Sequence, residues 1–169
     1  MEFTELIARR YSVRAYKPDP VEEDKLQRVL EAACIAPTAA NRQPFRLIVI
    51  HTQGRREDLG RLYHRDWFAQ APIVIGICAI PAEAWSRSDG KRYADVDATI
   101  AMDHLILAAT NEGLGTCWIG AFDPAAARQV LGLPDDVEPI AFTPLGYPAD
   151  QPQERKRKAL SDLVRYERW

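Results

Sequence analysis

Cations and a hydroxyl crowd into one short stretch near the amino terminus, Arg9-Arg10-Tyr11-Ser12-Val13-Arg14. A second cationic run, Arg155-Lys156-Arg157-Lys158, stands close to the other end of the chain. Guanidinium forks grip phosphate through paired hydrogen bonds and a hydroxyl adds another donor. Each such charge-assisted bond contributes about 1.5–3 kcal/mol. The two runs are candidates for a phosphate site; read alone, they also fit two solvated basic patches. A second candidate is Pro37-Thr38-Ala39-Ala40-Asn41-Arg42-Gln43-Pro44. Small residues between prolines let a flat ring approach the backbone, and the amides of Asn41 and Gln43 suit the polar edge of a heterocycle. The same composition also makes an ordinary helix-to-strand connection. The third is Cys117-Trp118-Ile119-Gly120-Ala121-Phe122-Asp123. Small residues at a strand end leave backbone N–H groups able to donate to a ligand, or simply make a turn.

Other chemistries are poorly supported. Gly113-Leu114-Gly115 follows a helical pattern instead of a strand and has no third glycine at the dinucleotide-binding spacing, so no helix N-terminus would meet a pyrophosphate. His51, His64 and His104 are isolated from one another and from any cysteine at metal-ligand spacing. Asp95 and Asp97 cannot share a helix face, which argues against paired carboxylates there.

The elements that must position these candidates follow from periodicity and caps. A short helix ends near Arg10. A second helix opens at Asp19-Pro20, its acidic first turn complementing the dipole, and presents Leu26, Val29, Leu30 and Ala33 on one face. Strands are expected at 45–50, 73–80, 116–119 and 140–145, with 73–80 apolar on both faces and hence central. A polar helix is expected near 55–63, and an exposed loop over 81–93, where Trp85 and Tyr93 either cover a ligand or, as exposed loop aromatics more often do, simply pack. Residues 94–111 read as a helix that is apolar nearly all round, which in a small protein implies that a second subunit covers one face. Asp123-Pro124 starts a short helix that Gly132 ends. Leu160, Leu163 and Val164 stand at helical spacing near the C-terminus.

The chain has 169 residues, 22 Lys+Arg against 24 Asp+Glu, and 47% hydrophobic residues. That suits one domain, 1–169, burying roughly 70% of its unfolded surface. The near-neutral balance argues against a nucleic-acid partner. No apolar run approaches the ~20 residues that span a membrane, and the acidic start lacks a basic leader region. Cys34, Cys78 and Cys117 form no CxxC pair and read as buried thiols of a cytoplasmic protein.

Taken in order, the segments are similar to those of the flavin-dependent nitroreductase family. They are Arg10-Tyr11-Ser12-Val13-Arg14-Ala15-Tyr16, the 37–44 loop, Trp118-Ile119-Gly120, Leu145-Gly146-Tyr147-Pro148, and the pair Arg155 and Arg157. Alternating helices and strands alone would suggest a doubly wound sheet. The resemblance implies instead an α+β nitroreductase-like (NADH oxidase/flavin reductase-like) fold, with a central, mostly antiparallel sheet flanked by helices. It also implies an intertwined homodimer with FMN at each end of the interface, NADH or NADPH as donor, and a small-molecule acceptor reduced in a ping-pong cycle; a flavin-binding or flavin-storing protein with little turnover, or a specialised flavin enzyme of the same fold, fits the same residues. On that resemblance Arg10, Ser12, Arg155 and Arg157 anchor the phosphate and ribityl chain, and Arg14 lies near the pyrimidine edge. Pro37, Thr38, Ala39, Asn41 and Gln43 line the ring from the other subunit, while Ile119, Gly120 and Ala121 face N5. Tyr11 replaces the second basic residue of the family motif, so its contribution there is backbone or aromatic. No side chain is nominated as a catalytic acid or base.

Overall fold

A run of seven apolar or small residues, Ile73–Ala79, is buried at every position and forms the centre of the sheet (β2). It pairs antiparallel with Phe45–His51 (β1) on one side and Glu138–Gly146 (β4) on the other. The two-residue strand Gly115–Thr116 (β3) closes the far edge, so the order is β1-β2-β4-β3, antiparallel throughout. The computed structural model describes residues 2–169. Its helices are Phe3–Arg9 (α1), Glu23–Cys34 (α2), Arg56–Leu62 (α3), Ala94–Asn111 (α4), Pro124–Leu131 (α5) and Leu160–Leu163 (α6). None of them is long and apolar enough to cross a membrane.

One sheet face packs on α2 and α4, where Leu26, Val29, Met102 and Leu105 meet Ile75, Ile77 and Leu145. The other face packs on α3 and α5 through Leu59, Leu62, Ala127 and Phe142. Phe142 lies across Gly76, where a Cβ would stand 2.7 Å from the ring, so this glycine makes room for the largest core side chain nearby. Helix α5 starts and stops where its caps dictate. Asp123 Oδ1 accepts the Ala125 and Ala126 N–H groups at 2.9 and 3.0 Å, and Gly132 closes the helix with φ 63°.

Three local expectations are corrected. Helix α2 begins at Glu23, not at Asp19-Pro20: the chain stays extended through Glu22, the N-cap, at φ −65° and ψ 138°. The strand expected at 116–119 ends at Thr116: the Cys117 N–H turns to Thr143 Oγ1 at 3.0 Å, and pairing resumes only as a single bridge between Ile119 and Phe142. Cys34 is exposed at the end of α2, whereas Cys78 and Cys117 are buried. Burial pushes the Cys78 thiol up to about 11 and raises Cys117 too. A thiol reagent at neutral pH is therefore expected to titrate one fast sulfur per native chain, at Cys34; loss of that fast phase in Cys34→Ser checks the assignment.

The surface is less orderly than the core. Helix α1 buries no side chain, and Phe3 and Ile7 are exposed. Val96 on α4 is exposed and Ile100 and Leu107 on the same stripe are only half-buried. The last segment, 151–169, runs as an exposed arm carrying Leu160, Leu163, Tyr166 and Trp169 on its surface.

Candidate functional site

Arg10 caps the end of α1, after which the chain runs extended alongside β3. The Val13 N–H donates to the Thr116 carbonyl at 2.9 Å, and Val13 and Tyr16 are buried as anchors. Gly115 permits this approach: a Cβ there would lie 2.6 Å from Val13 Cγ2 and 3.0 Å from Pro148 Cγ. Gly115→Ala is expected to cost ~1–3 kcal/mol, the usual range for overpacking, and calorimetry of the purified variant should show a lowered thermal midpoint. Extended backbone sends alternate side chains to opposite sides, so burying Val13 turns Ser12 and Arg14 outward.

Asp150 ties this segment to the start of the arm. Its Oδ2 accepts the Arg14 N–H at 2.8 Å, and the Tyr11 hydroxyl donates to its Oδ1 and to its carbonyl, each at 3.1 Å. Burial and the bond to Asp150 push the Tyr11 phenol up to about 12. The arm then crosses the end of α1, where the Arg155 guanidinium donates to the carbonyl oxygens of Ala8 and Arg10. These are last-turn carbonyls with no helical partner, so a cation is well placed on them. Arg155, expected as a phosphate anchor, is thus also the tether that brings the arm to Arg10.

The outcome is a cavity of about 330 Å³ between the two ends of the chain, walled by Arg10, Ser12, Arg14, Arg155 and Arg157 with Tyr11 and Asp150. The Arg10 guanidinium is held below its ordinary range, first by desolvation and then by the charges of Arg155 and Arg157; Asp103 offsets part of this. Like charges so close repel until an anion joins them, and a phosphate dianion fits that requirement.

Arg14 also borders a second cavity, of about 600 Å³, whose other walls are Tyr63, His64, Arg65, Asp66 and Trp67. Of this turn between α3 and β2, only Tyr63 falls within an expected element, as the last residue of the polar helix. The turn's mixture of aromatic, cationic and imidazole groups in five consecutive positions was the available signal. The Tyr63 and Trp67 rings pack edge to face at 5.7 Å.

The 37–43 loop lines neither cavity within one protomer. It contains a 3-10 turn, Ala39–Asn41, and holds Ala40, Asn41 and Gln43 at φ 52°, 53° and 50°. Left-handed backbone at non-glycine residues costs of order 1–3 kcal/mol each and gathers at functional sites. The two amides named as ring readers engage each other: Gln43 Nε2 donates to Asn41 Oδ1 at 3.0 Å. The segment Ile119-Gly120-Ala121 likewise walls neither cavity in one protomer. Ile119 is buried and Gly120 and Ala121 are exposed. Their two N–H groups meet no acceptor among the described residues, while Ile119 on one side bonds to Phe142 and Asp123 on the other to Leu62. The 81–93 loop is an ordered hairpin bridged at Ser86 and Arg92. Trp85 and Tyr93 pack on one another at 5.1 Å and cover none of these cavities.

Comparison with known proteins adds an independent line. The sequence model of the nitroreductase family matches residues 7–62 and 53–147. The fold is similar to that of a nitroreductase family protein of Clostridium difficile 630, with a TM-score of 0.90, 39% identity and 100% of both chains covered. The sequence is 28% identical to the NADH dehydrogenase of Thermus thermophilus over 92% of this chain and 91% of that protein. It is 29% identical to the FMN reductase [NAD(P)H] of Bacillus subtilis over 86% of this chain and 66% of that one.

Proposed function

Because the chain belongs to the nitroreductase family and is an NAD(P)H-dependent oxidoreductase that works with FMN, we propose that Arg10, Ser12, Arg155 and Arg157 hold the FMN phosphate and ribityl chain. The observation that carries this reading is the convergence of Arg10, Ser12, Arg155 and Arg157 on one cavity between the two ends of the chain, a cluster of donors that suits a bound dianion. Arg14 borders both cavities and so connects the phosphate end to the space in front of Tyr63, His64 and Trp67. A fixed cation there favours negative charge gathering at the polar edge of the ring. When bound, FMN supplies two-electron chemistry, taking hydride from NAD(P)H and passing it to a nitroaromatic, a quinone or a similar conjugated acceptor in a ping-pong cycle.

The protein's part is orientation and exclusion of water. Gly120 and Ala121 offer two unused N–H donors, well suited to an acceptor atom of the ring. The 37–43 loop does not reach the cation cavity of its own protomer, and the homodimer supplies it from the partner. The uncovered apolar groups of α1, α4 and the arm support that assembly.

Purified protein incubated with FMN should remain yellow after gel filtration. Steady-state oxidation of NADH and NADPH with a nitroaromatic acceptor should then give parallel double-reciprocal lines. Intersecting lines would remove the ping-pong cycle. A colourless protein after incubation would remove the cofactor assignment to these residues.

A further inference from the structure

Asp97 stands in the first turns of α4 with 1% of its surface exposed. Its Oδ1 accepts the Ala39 N–H at 2.8 Å, while Oδ2 is buried and meets no donor among the described residues. A carboxylate half-satisfied in the core is unfavourable for stability, and an alanine or leucine would pack there without that penalty. What the carboxylate does hold is the first residue of the left-handed turn. The rest of that loop closes on itself: the Asn41 N–H donates to the Thr38 carbonyl at 3.0 Å and the Gln43 N–H to Thr38 Oγ1 at 3.1 Å. Among the described residues, Ala39 to Asp97 is the one hydrogen bond that joins residues 37–42 to another element.

We infer that Asp97 is a positioning residue for cofactor binding: it sets the shape of the 37–43 loop from beneath, and through that loop the hold on the flat ring. The inference rests on the reading that this loop faces the ring. Three left-handed residues within four positions, Ala40, Asn41 and Gln43, do not keep one shape unaided, because non-glycine backbone leaves that region when released. A loop free to relax would still carry Pro37, Thr38 and Asn41, but not in one arrangement, and ordering them would then weaken binding.

The test uses the full-length protein. Dissociation constants for FMN and for riboflavin are measured by flavin fluorescence in wild type, Asp97→Ala, Asp97→Asn and Arg10→Ala. Amide exchange of residues 39–43 is followed in the flavin-free proteins. Asp97→Ala is expected to speed exchange at Ala39 and to weaken FMN and riboflavin by one common factor, about tenfold or more, since the phosphate grip is untouched. Asp97→Asn keeps an acceptor oxygen for Ala39 and should stay within about threefold of wild type. Arg10→Ala should weaken FMN alone. Unchanged exchange in Asp97→Ala overturns the inference. So does faster exchange with both flavin affinities intact, which takes the loop away from the ring while the Arg10 comparison still decides the phosphate site. If Asp97→Ala does not fold, the wild type suffices: an Ala39 amide exchanging as fast as that of exposed Ala40 overturns the inference.

Discussion

Arg10→Ala weakens FMN binding about ten- to a hundredfold, the loss expected for one or two charge-assisted hydrogen bonds to phosphate, and leaves riboflavin binding unchanged. The asymmetry follows from position. Arg10 faces the cavity between the chain ends, where desolvation first, and then the charges of Arg155 and Arg157, lower its proton affinity. Removing one of three mutually repelling cations relieves the flavin-free protein while it weakens the FMN complex. The thermal midpoint of the variant without flavin should therefore equal or exceed that of wild type, and the stabilisation conferred by added FMN should shrink. The tether is not lost with the side chain, because Arg155 donates to the carbonyl of residue 10, not to its guanidinium. FMN affinity should also fall with added salt in wild type and less steeply in the variant. Equal affinity of the wild type for FMN and riboflavin would sink the phosphate assignment.

The second large effect concerns the arm. A chain ending at Lys158 keeps Arg155 and Arg157 but loses Leu160, Leu163, Tyr166 and Trp169, all exposed on the protomer. Fully burying a large apolar side chain contributes about 1.5–3 kcal/mol, only part of which survives the cost of association. The truncated chain should dimerise about a hundredfold more weakly or worse, by that reckoning, and sedimentation velocity at low micromolar concentration should show a monomer. On the proposed reading, in which each site takes its ring-facing loop from the partner, FMN retention should fall together with dimerisation. The core clusters on both sheet faces involve no residue beyond Tyr147, so the truncated monomer should still melt cooperatively. A truncated chain that remains dimeric would show that the arm is not the clasp.

Parts of the fold were legible because their causes are local. Helix α5 lies between an aspartate cap and a left-handed glycine that the sequence shows directly. Helix α4 spans the 94–111 segment expected from its apolar run, and β2 is central because both its faces are apolar. Where local cues competed with distant ones, the reading failed. The Cys117 amide was drawn from the ladder by a threonine 26 positions away. The 63–67 turn was overlooked because its importance comes only from lying opposite Arg14.

The sequence by itself determined the family and which residues are candidates for its chemistry: two cationic runs, a loop of small residues and amides, and the Ile119-Gly120-Ala121 segment, in an order typical of that family. Those are properties of residue type and spacing, and they need no third dimension to be seen. Only the tertiary structure decided that Arg10 and Arg155, 145 positions apart, meet across the end of α1. It also decided that Arg14 stands between two cavities and that Asp97 reaches up to the loop. Such meetings are set by sheet order and by the path of an extended arm, which depend on the packing of the whole chain and not on any window of it.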